Sequence, residues 1–321
     1  MRATLLMDPA LVPFVFDAAA QARLGELVEI DLGRAATSIA GIPDPSGVEL
    51  LLTGWGAAIR RGDLDMLPAV RAIVHWGGGI GVLDGDAAAR GIPVSTATAA
   101  NAIPVAEFTL AMITLAAKDA FWLSRQYGTD QRFIDREAAA PRAGLYRATV
   151  GIVGASAIGT LVMERLRGSD VRVLLYDPYA AAAAAEELGA ELVDDLAALA
   201  ARCDLLSIHA PELPSTAGMV SADVLAALPD GATVINTARG ALIDQDALVA
   251  ELERGRLRAI LDVTEPDPLP AGHPLYALPN VFLTPHLAGS MGGELRRLGE
   301  AALAEVERFV AGEPFAHPVA S

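Results

Sequence analysis

The chain has one cysteine, Cys203, among 321 residues. That excludes an internal disulfide and any cysteine-based metal cluster, and a lone thiol fits a reducing compartment. Positive charge is scarce. Lys and Arg number 24 against 40 Asp and Glu, a formal net charge of −16, so nucleic acid and anionic membrane surfaces are not expected as partners, because both would repel the chain. Long uninterrupted apolar runs are missing too, and no bilayer-spanning segment is expected. Asp8, Pro9 and Pro13 break the first apolar run, and Arg2 is the only basic residue ahead of it. A signal peptide is therefore not expected, and the expected location is the cytoplasm. No metal site is expected.

What is present points to a folded protein of two domains. Hydrophobic residues make up 53% and charged ones 20%, which leaves no compositional case for disorder. The length exceeds one typical core and suits two. Up to about residue 96, short apolar runs (3–7, 27–30, 49–52, 72–76 and 92–95) alternate with helix-compatible segments, which predicts a parallel α/β sheet. Residues 101–126, with Pro104 near their start, predict one long helix that crosses between the domains. A polar loop follows over 128–147, broken at Pro141. A second α/β series uses runs at 150–154, 171–176, 191–193, 204–208, 233–236, 258–262 and 281–283, enough for a full doubly wound sheet. The segment 294–310 carries Leu295, Leu298, Ala302, Val306 and Phe309 at helical spacing and closes the chain as a helix.

The densest signal is TVGIVGASAIGTLVMERLRGSDVRVLLYD, residues 149–177. A buried strand ends on Gly154 and runs into a helix-compatible segment from Ala157 to Arg167. A second apolar run then ends on Asp177, at about the 20-residue interval that separates the glycine turn from the ribose-binding acid in dinucleotide folds. Gly154 permits a tight turn, Gly159 permits close helix–sheet packing, and the free N–H groups of the helix start face a pyrophosphate. Ser156 stands where a second glycine is usual. Its side chain crowds the approach to the phosphates, while its hydroxyl can donate to them.

Further strand ends carry chemistry. TGWG at 53–56 and HWGGGIG at 75–81 put glycines and aromatics where open α/β sheets bind ligands. SIHAPELPST places His209 and Pro211 after a strand, with His209 read as a solvated turn residue. INTARGALIDQDAL places Arg239 after a buried strand, where its guanidinium can fork onto a carboxylate. AILDVTEPDPLP gives Asp262, Glu265 and Asp267, and VFLTPHLAGS gives His286. A histidine, an arginine and a carboxylate at the ends of strands in one nucleotide-type sheet predict an acid/base, a substrate grip and an orienting acid.

With these motifs the chain resembles the D-isomer-specific 2-hydroxyacid dehydrogenases. The resemblance runs through HWGGGIGVLDGDAA, NAIPVAEFTL, GIVGASAIG, LLYDP, NTARGALID, LDVTEPDPLP and PNVFLTPHLAGS. It implies an α/β protein of two doubly wound parallel-sheet domains: a flavodoxin-like substrate domain (1–98 and 289–321) and an inserted Rossmann domain (99–288) that binds NAD. It also implies hydride transfer between NAD(H) and C2 of a small 2-oxo or D-2-hydroxy acid, and a homodimer. His286 matches the family acid/base and Arg239 its substrate arginine. Gly78 and Gly79 match the carboxylate-binding loop, and Trp55 lies beside them on the substrate side. Cofactor contacts are implied for Gly154, Ser156, Ala157, Ile158, Gly159, Asp177, His209, Pro211, Thr216, Thr237, Ala238, Asp262, His286, Ala288 and Gly289.

Three positions depart from the family pattern: Ser156, Gly81 where Asp is usual, and Asp267 where the D-V-x-x-x-E spacing calls for Glu. The last leaves Asp267 and Glu265 as rival partners for His286, with spacing favouring Asp267. The chain crosses between the expected domains near 97–101 and 286–292, which predicts a hinge. Trp55, Trp76 and Met291 suggest a partly apolar substrate pocket, and Arg60 and Arg61 a second anionic contact. Residues 287–321 suffice for the closing helix and are too few for the regulatory domain of some phosphoglycerate enzymes. A nucleotide-sensing binding protein on the same fold is the alternative; a Rossmann-like methyltransferase would leave Arg239 and His286 unexplained.

Overall fold

In a computed structural model, which describes residues 1–57, 59–60, 62–78 and 86–319, the short apolar runs form two parallel sheets, of four and seven strands. Strands so rich in Leu, Ile and Val need cover on both faces, and helices supply it. The chain divides into two units, Met1–Ala102 with Gly289–Ser321, and Ile103–Ala288.

In the first unit the sheet runs β1 (Ala3–Leu6), β2 (Leu50–Thr53), β3 (Ala72–His75), β4 (Val94–Thr96). Every residue of β2 and β3 is buried. The closing helix Leu295–Val310 lays Leu295, Leu298, Ala302 and Val306 into the same core as Leu5, Leu52, Val74 and Trp76. The strand expected at 27–30 is not there. Leu27 ends the helix Ala18–Leu27, whose Leu24 is buried. Instead Glu29 makes an isolated bridge to Arg2, just ahead of β1, and Ala36 one to Leu6, and the Asp31–Gly33 turn, closed by the Gly33 amide on Asp31 Oδ1, lies between them.

In the second unit the strands are β5 (Thr149–Val153), β6 (Arg172–Tyr176), β7 (Ala190–Leu192), β8 (Leu205–Ile208), β9 (Thr233–Asn236), β10 (Arg258–Leu261) and β11 (Val281–Leu283). Their order is β11-β10-β9-β8-β5-β6-β7. The chain winds outward from β5 to β7 and then returns to build β8 on the other side of β5. The β5/β8 boundary is thus a topological switch point, where such sheets bind ligands beyond their carboxyl ends.

The segment 101–126 is two helices, not one: Thr98–Ala117 and Ala120–Asp130. Between them Asp119 adopts a left-handed conformation, φ 52°, which short polar side chains tolerate, and its carboxylate pairs with Arg258. The expectation that no segment could span a bilayer also needs correction. Thr98–Ala117 has the length and mean hydropathy, 1.5, to do so. Its Ala106, Met112, Ile113 and Ala116 instead pack with Val150, Ile152 and Ile260 of the second sheet, so the apolar run serves a protein core. The stretch 128–147 is not wholly a loop, since Arg136–Ala139 is a helical turn capped by Asp135.

Candidate active site

Beyond β5 the chain makes the expected glycine turn. Gly154 has φ +97° and lies so close to β8 that a Cβ would stand 2.7 Å from the Ala210 nitrogen; at Gly159 a Cβ would stand 2.1 Å from the Gly154 carbonyl oxygen. No side chain fits at either position. Ser156 has a role its departure from the glycine pattern did not suggest: it caps the helix Ala157–Leu166, its hydroxyl accepting from the Gly159 amide at 3.3 Å. Among the described residues no acceptor meets the N–H groups of Ser156, Ala157 and Ile158. Three unpaired donors at a helix N-terminus form an anion site, so this turn fits a dinucleotide pyrophosphate. Asp177, at the end of β6, accepts from the Ala155 amide at 2.7 Å and the Tyr179 amide at 2.8 Å, and so it also ties the turn to the neighbouring strand.

His209 corrects another expectation, for it is buried, not solvated. It is 2% exposed, its Nε2 lies 2.9 Å from Ser207 Oγ, and its Nδ1 meets no partner among the described residues. Burial pushes its pKa down to about 3 and keeps the ring neutral. Pro211 and Thr216 close the following loop, the Thr216 hydroxyl donating to the Pro211 carbonyl at 2.7 Å.

After β9, buried Asn236 shapes the turn that presents Arg239. Its Oδ1 accepts from the Ala238 amide at 3.0 Å and its Nδ2 donates to the Arg239 carbonyl at 2.7 Å. Thr237 is tied to Thr109 by a buried hydroxyl pair at 2.8 Å. The Arg239 side chain is about half exposed, and its Nε is 3.6 Å from Glu212 Oε2. A pair so open to water is weak, which leaves the guanidinium able to take another anion.

His286 follows β11 in a left-handed conformation, φ 54°, which costs about 1–2 kcal/mol in a residue with a Cβ. Asp262, 1% exposed, holds it there. The Asp262 carboxylate accepts from Thr284 Oγ1 at 2.5 Å and from the Leu287 and Ala288 amides at 2.8 and 2.9 Å, while its carbonyl accepts from the His286 amide at 2.9 Å. On the ring, Nδ1 is 2.9 Å from Asp267 Oδ2. The structure therefore sets Asp267 against His286. Arg239, Asp267 and His286 follow β9, β10 and β11, three adjacent strands.

In the first unit Trp55 is partly buried and packs edge-on against Trp76 at 5.0 Å. Trp76 cannot line a pocket: it is fully buried, its indole N–H directed at Met7 Sδ at 3.3 Å. Gly78 accepts from the Thr98 hydroxyl at 3.1 Å and lies against the Asn101 carboxamide, whose Oδ1 accepts from the Ser290 amide beside Gly289. Gly79, Gly81 and Arg61 lie outside the described residues. Sequence reasoning missed Asn236, Asn101 and Glu212. Asn236 carried a signal, an amide side chain at a strand end before a turn that needs its donors and acceptors met.

A doubly wound parallel sheet with this turn beside its switch point defines a dinucleotide-binding protein. Residues 110–288 match the family described as D-isomer specific 2-hydroxyacid dehydrogenase, NAD binding domain, and the chain belongs to that family. It is 31% identical over 296 residues, 90% of its own length, to a D-3-phosphoglycerate dehydrogenase of Methanocaldococcus jannaschii, and the match spans 55% of that protein. It thus spans little more than half the length of such relatives. A chloroplastic/mitochondrial formate dehydrogenase of Arabidopsis thaliana is 31% identical over 237 residues, 71% of this chain and 60% of that one. Among solved structures, D-mandelate dehydrogenase of Rhodotorula graminis superposes with a TM-score of 0.83 at 25% identity, covering 100% of this chain and 97% of that one.

Proposed function

We propose that the protein transfers a hydride between NAD(H) and C2 of a small 2-oxo or D-2-hydroxy acid. The observation that carries this reading is the 2.9 Å contact between His286 Nδ1 and Asp267 Oδ2, one strand over from Arg239, inside a domain that belongs to an NAD-binding family. NAD(H) supplies or accepts the hydride. Arg239 holds the substrate carboxylate, which orients the adjoining carbonyl. Protonated His286 donates from Nε2 to the carbonyl oxygen as that oxygen gains charge, and takes the proton back in the oxidising direction. Asp267 fixes the ring and stabilises its charged form. The amides of Ser156, Ala157 and Ile158 bind the pyrophosphate and Asp177 the adenosine ribose.

The working form on this reading is a cytoplasmic homodimer. The test is a panel of 2-oxo acids (glyoxylate, pyruvate, hydroxypyruvate, phenylglyoxylate, phosphohydroxypyruvate) assayed for NADH oxidation. At least one should be reduced, with kcat/KM falling by about 10²–10⁴ in His286→Gln, the range for losing a general acid. NADH binding with no turnover on any of them would favour the nucleotide-sensing alternative.

A further inference from the structure

Asp267 sits on a segment with few means of support. Pro266 and Pro268 flank it and contribute no N–H, so from Glu265 to Leu269 only Glu265, Asp267 and Leu269 have amides to anchor the chain. Leu269 is anchored by burial, 6% exposed in the core that also holds Leu275. On the other side, the Glu265 amide donates to Gln245 Oε1 at 3.0 Å and the Glu265 carbonyl accepts from Gln245 Nε2 at 2.8 Å. One side-chain carboxamide thereby satisfies both backbone groups of one loop residue, as a rung of a β-ladder would. Gln245 opens the helix Gln245–Glu253, but that helix is capped by Asp244, which accepts from the Ala247 amide at 3.0 Å. The Gln245 side chain therefore has no part in starting the helix, and its hydrogen bonds go to the loop.

We propose that Gln245 is a positioning residue for the acid/base pair: by holding Glu265 it sets the reach of Asp267 to His286. The inference rests on the function proposed above. The loop it steadies also abuts the Arg239 turn, since a Cβ on Gly240 would stand 2.1 Å from the Thr264 carbonyl carbon. With the carboxamide removed, the loop keeps the Thr264 hydroxyl on the Pro266 carbonyl at 2.8 Å, the Tyr276 hydroxyl on the Leu269 carbonyl at 3.1 Å and the Asp267 contact with His286. Among the described residues no backbone hydrogen bond holds Asp267 itself, so its position then depends on the chain either side of it.

Gln245→Ala should lower kcat/KM for 2-oxo acid reduction by about 10-fold, a fraction of the hundredfold that a 1 Å misplacement can cost. KM for NADH should be unchanged. Because the effect passes through Asp267, Gln245→Ala should cost less than about twofold more in an Asp267→Asn background. Gln245→Glu gives a separate signature. Ionised, it can accept from the Glu265 amide but repels the Glu265 carbonyl; protonated, its hydroxyl replaces the lost donor. Its activity relative to wild type should recover as pH falls through the carboxylate range, while Gln245→Ala should show no recovery.

Wild-type kcat/KM in Gln245→Ala, or losses that multiply in the double variant, would overturn the proposal. A reading independent of turnover is the ¹⁵N shift of His286 Nδ1, assigned with His286→Gln. It should move in Gln245→Ala toward its value in Asp267→Asn, and an unmoved shift also overturns the proposal. Failure of the underlying function shows differently, as wild-type protein that oxidises NADH with no 2-oxo acid.

Discussion

Acid should weaken this protein through His209. The ring is 2% exposed, and burial holds its pKa at about 3, whereas in the unfolded chain it takes up a proton near pH 6.5. The folded value lies below the unfolded one, so on acidification the unfolded state binds the proton first. This group's contribution is intact above pH 6.5 and is lost progressively as pH falls toward about 3. One pH unit below the unfolded value, the loss is about 1.4 kcal/mol, a tenfold change in the folding constant. The assay is urea unfolding at pH 7.5 and 5.5, followed by circular dichroism, for wild type and His209→Gln, which keeps a polar atom for Ser207. Other titrating groups act alike in both and cancel. Wild type should lose about 1.4 kcal/mol more than the variant over that interval. The His209 backbone packs on the Gly154 turn, so NADH affinity should weaken in the same window. Parallel losses in the two proteins would refute the reasoning.

On the ribose role proposed for Asp177, its negative charge meets a 2′-phosphate, so NADH should be preferred over NADPH by at least about tenfold in kcat/KM, the effect of one unscreened repulsion of moderate size. Asp177→Ala should narrow that ratio and also raise KM for NADH, because it unties the Ala155 amide; equal use of both cofactors by wild type would remove the ribose assignment. Gly159→Ala should bind NADH at least about tenfold more weakly by fluorescence titration, since the Gly154 carbonyl must shift to admit a Cβ, overpacking costs about 1–3 kcal/mol or more, and here it falls on the cofactor turn. Cys203 is 1% exposed, and burial, aided by Asp204, pushes its thiol pKa up to about 12. An aromatic disulfide reagent at pH 8 should leave the native thiol unmodified and react with it once urea unfolds the chain; stoichiometric labelling of the native protein would contradict that burial.

The glycine turn is legible in sequence because two backbone approaches there exclude any Cβ, and only glycine meets that condition. The alternation of buried runs reveals the sheets for a similar reason, since strands covered on both faces must be apolar throughout. Periodicity fails where tertiary contacts decide. Leu27, Val28 and Ile30 are apolar because they pack on the core of the first unit, and nothing in their pattern shows that the Asp31–Gly33 turn leaves the sheet. The break at Asp119 depends on Arg258, far along the chain. His209 reads as a solvated turn residue because Pro211 follows it, yet Ser207 and the adjoining strand bury it. Trp76, beside glycines at a strand end, reads as a pocket wall and is core. Spacing pointed to Asp267, and Asp267 is the carboxylate found against His286. Asn236, which shapes the Arg239 turn, and Gln245, which bonds to Glu265, act by hydrogen bonds to loop backbone, for which sequence has no periodic signal.

The most direct test of the account is kcat/KM for 2-oxo acid reduction in wild type, Asp267→Asn and Glu265→Gln. On the proposed function Asp267 fixes the His286 ring from Nδ1, where the two side chains meet at 2.9 Å. Asp267→Asn keeps the shape and removes the charge. It should lose roughly tenfold or more in kcat/KM, less than the 10⁴ of a fully buried triad acid because this pair is half exposed. Glu265→Gln should keep the wild-type value. A loss in Glu265→Gln together with wild-type kcat/KM in Asp267→Asn would contradict the account and move the orienting acid two residues along the loop.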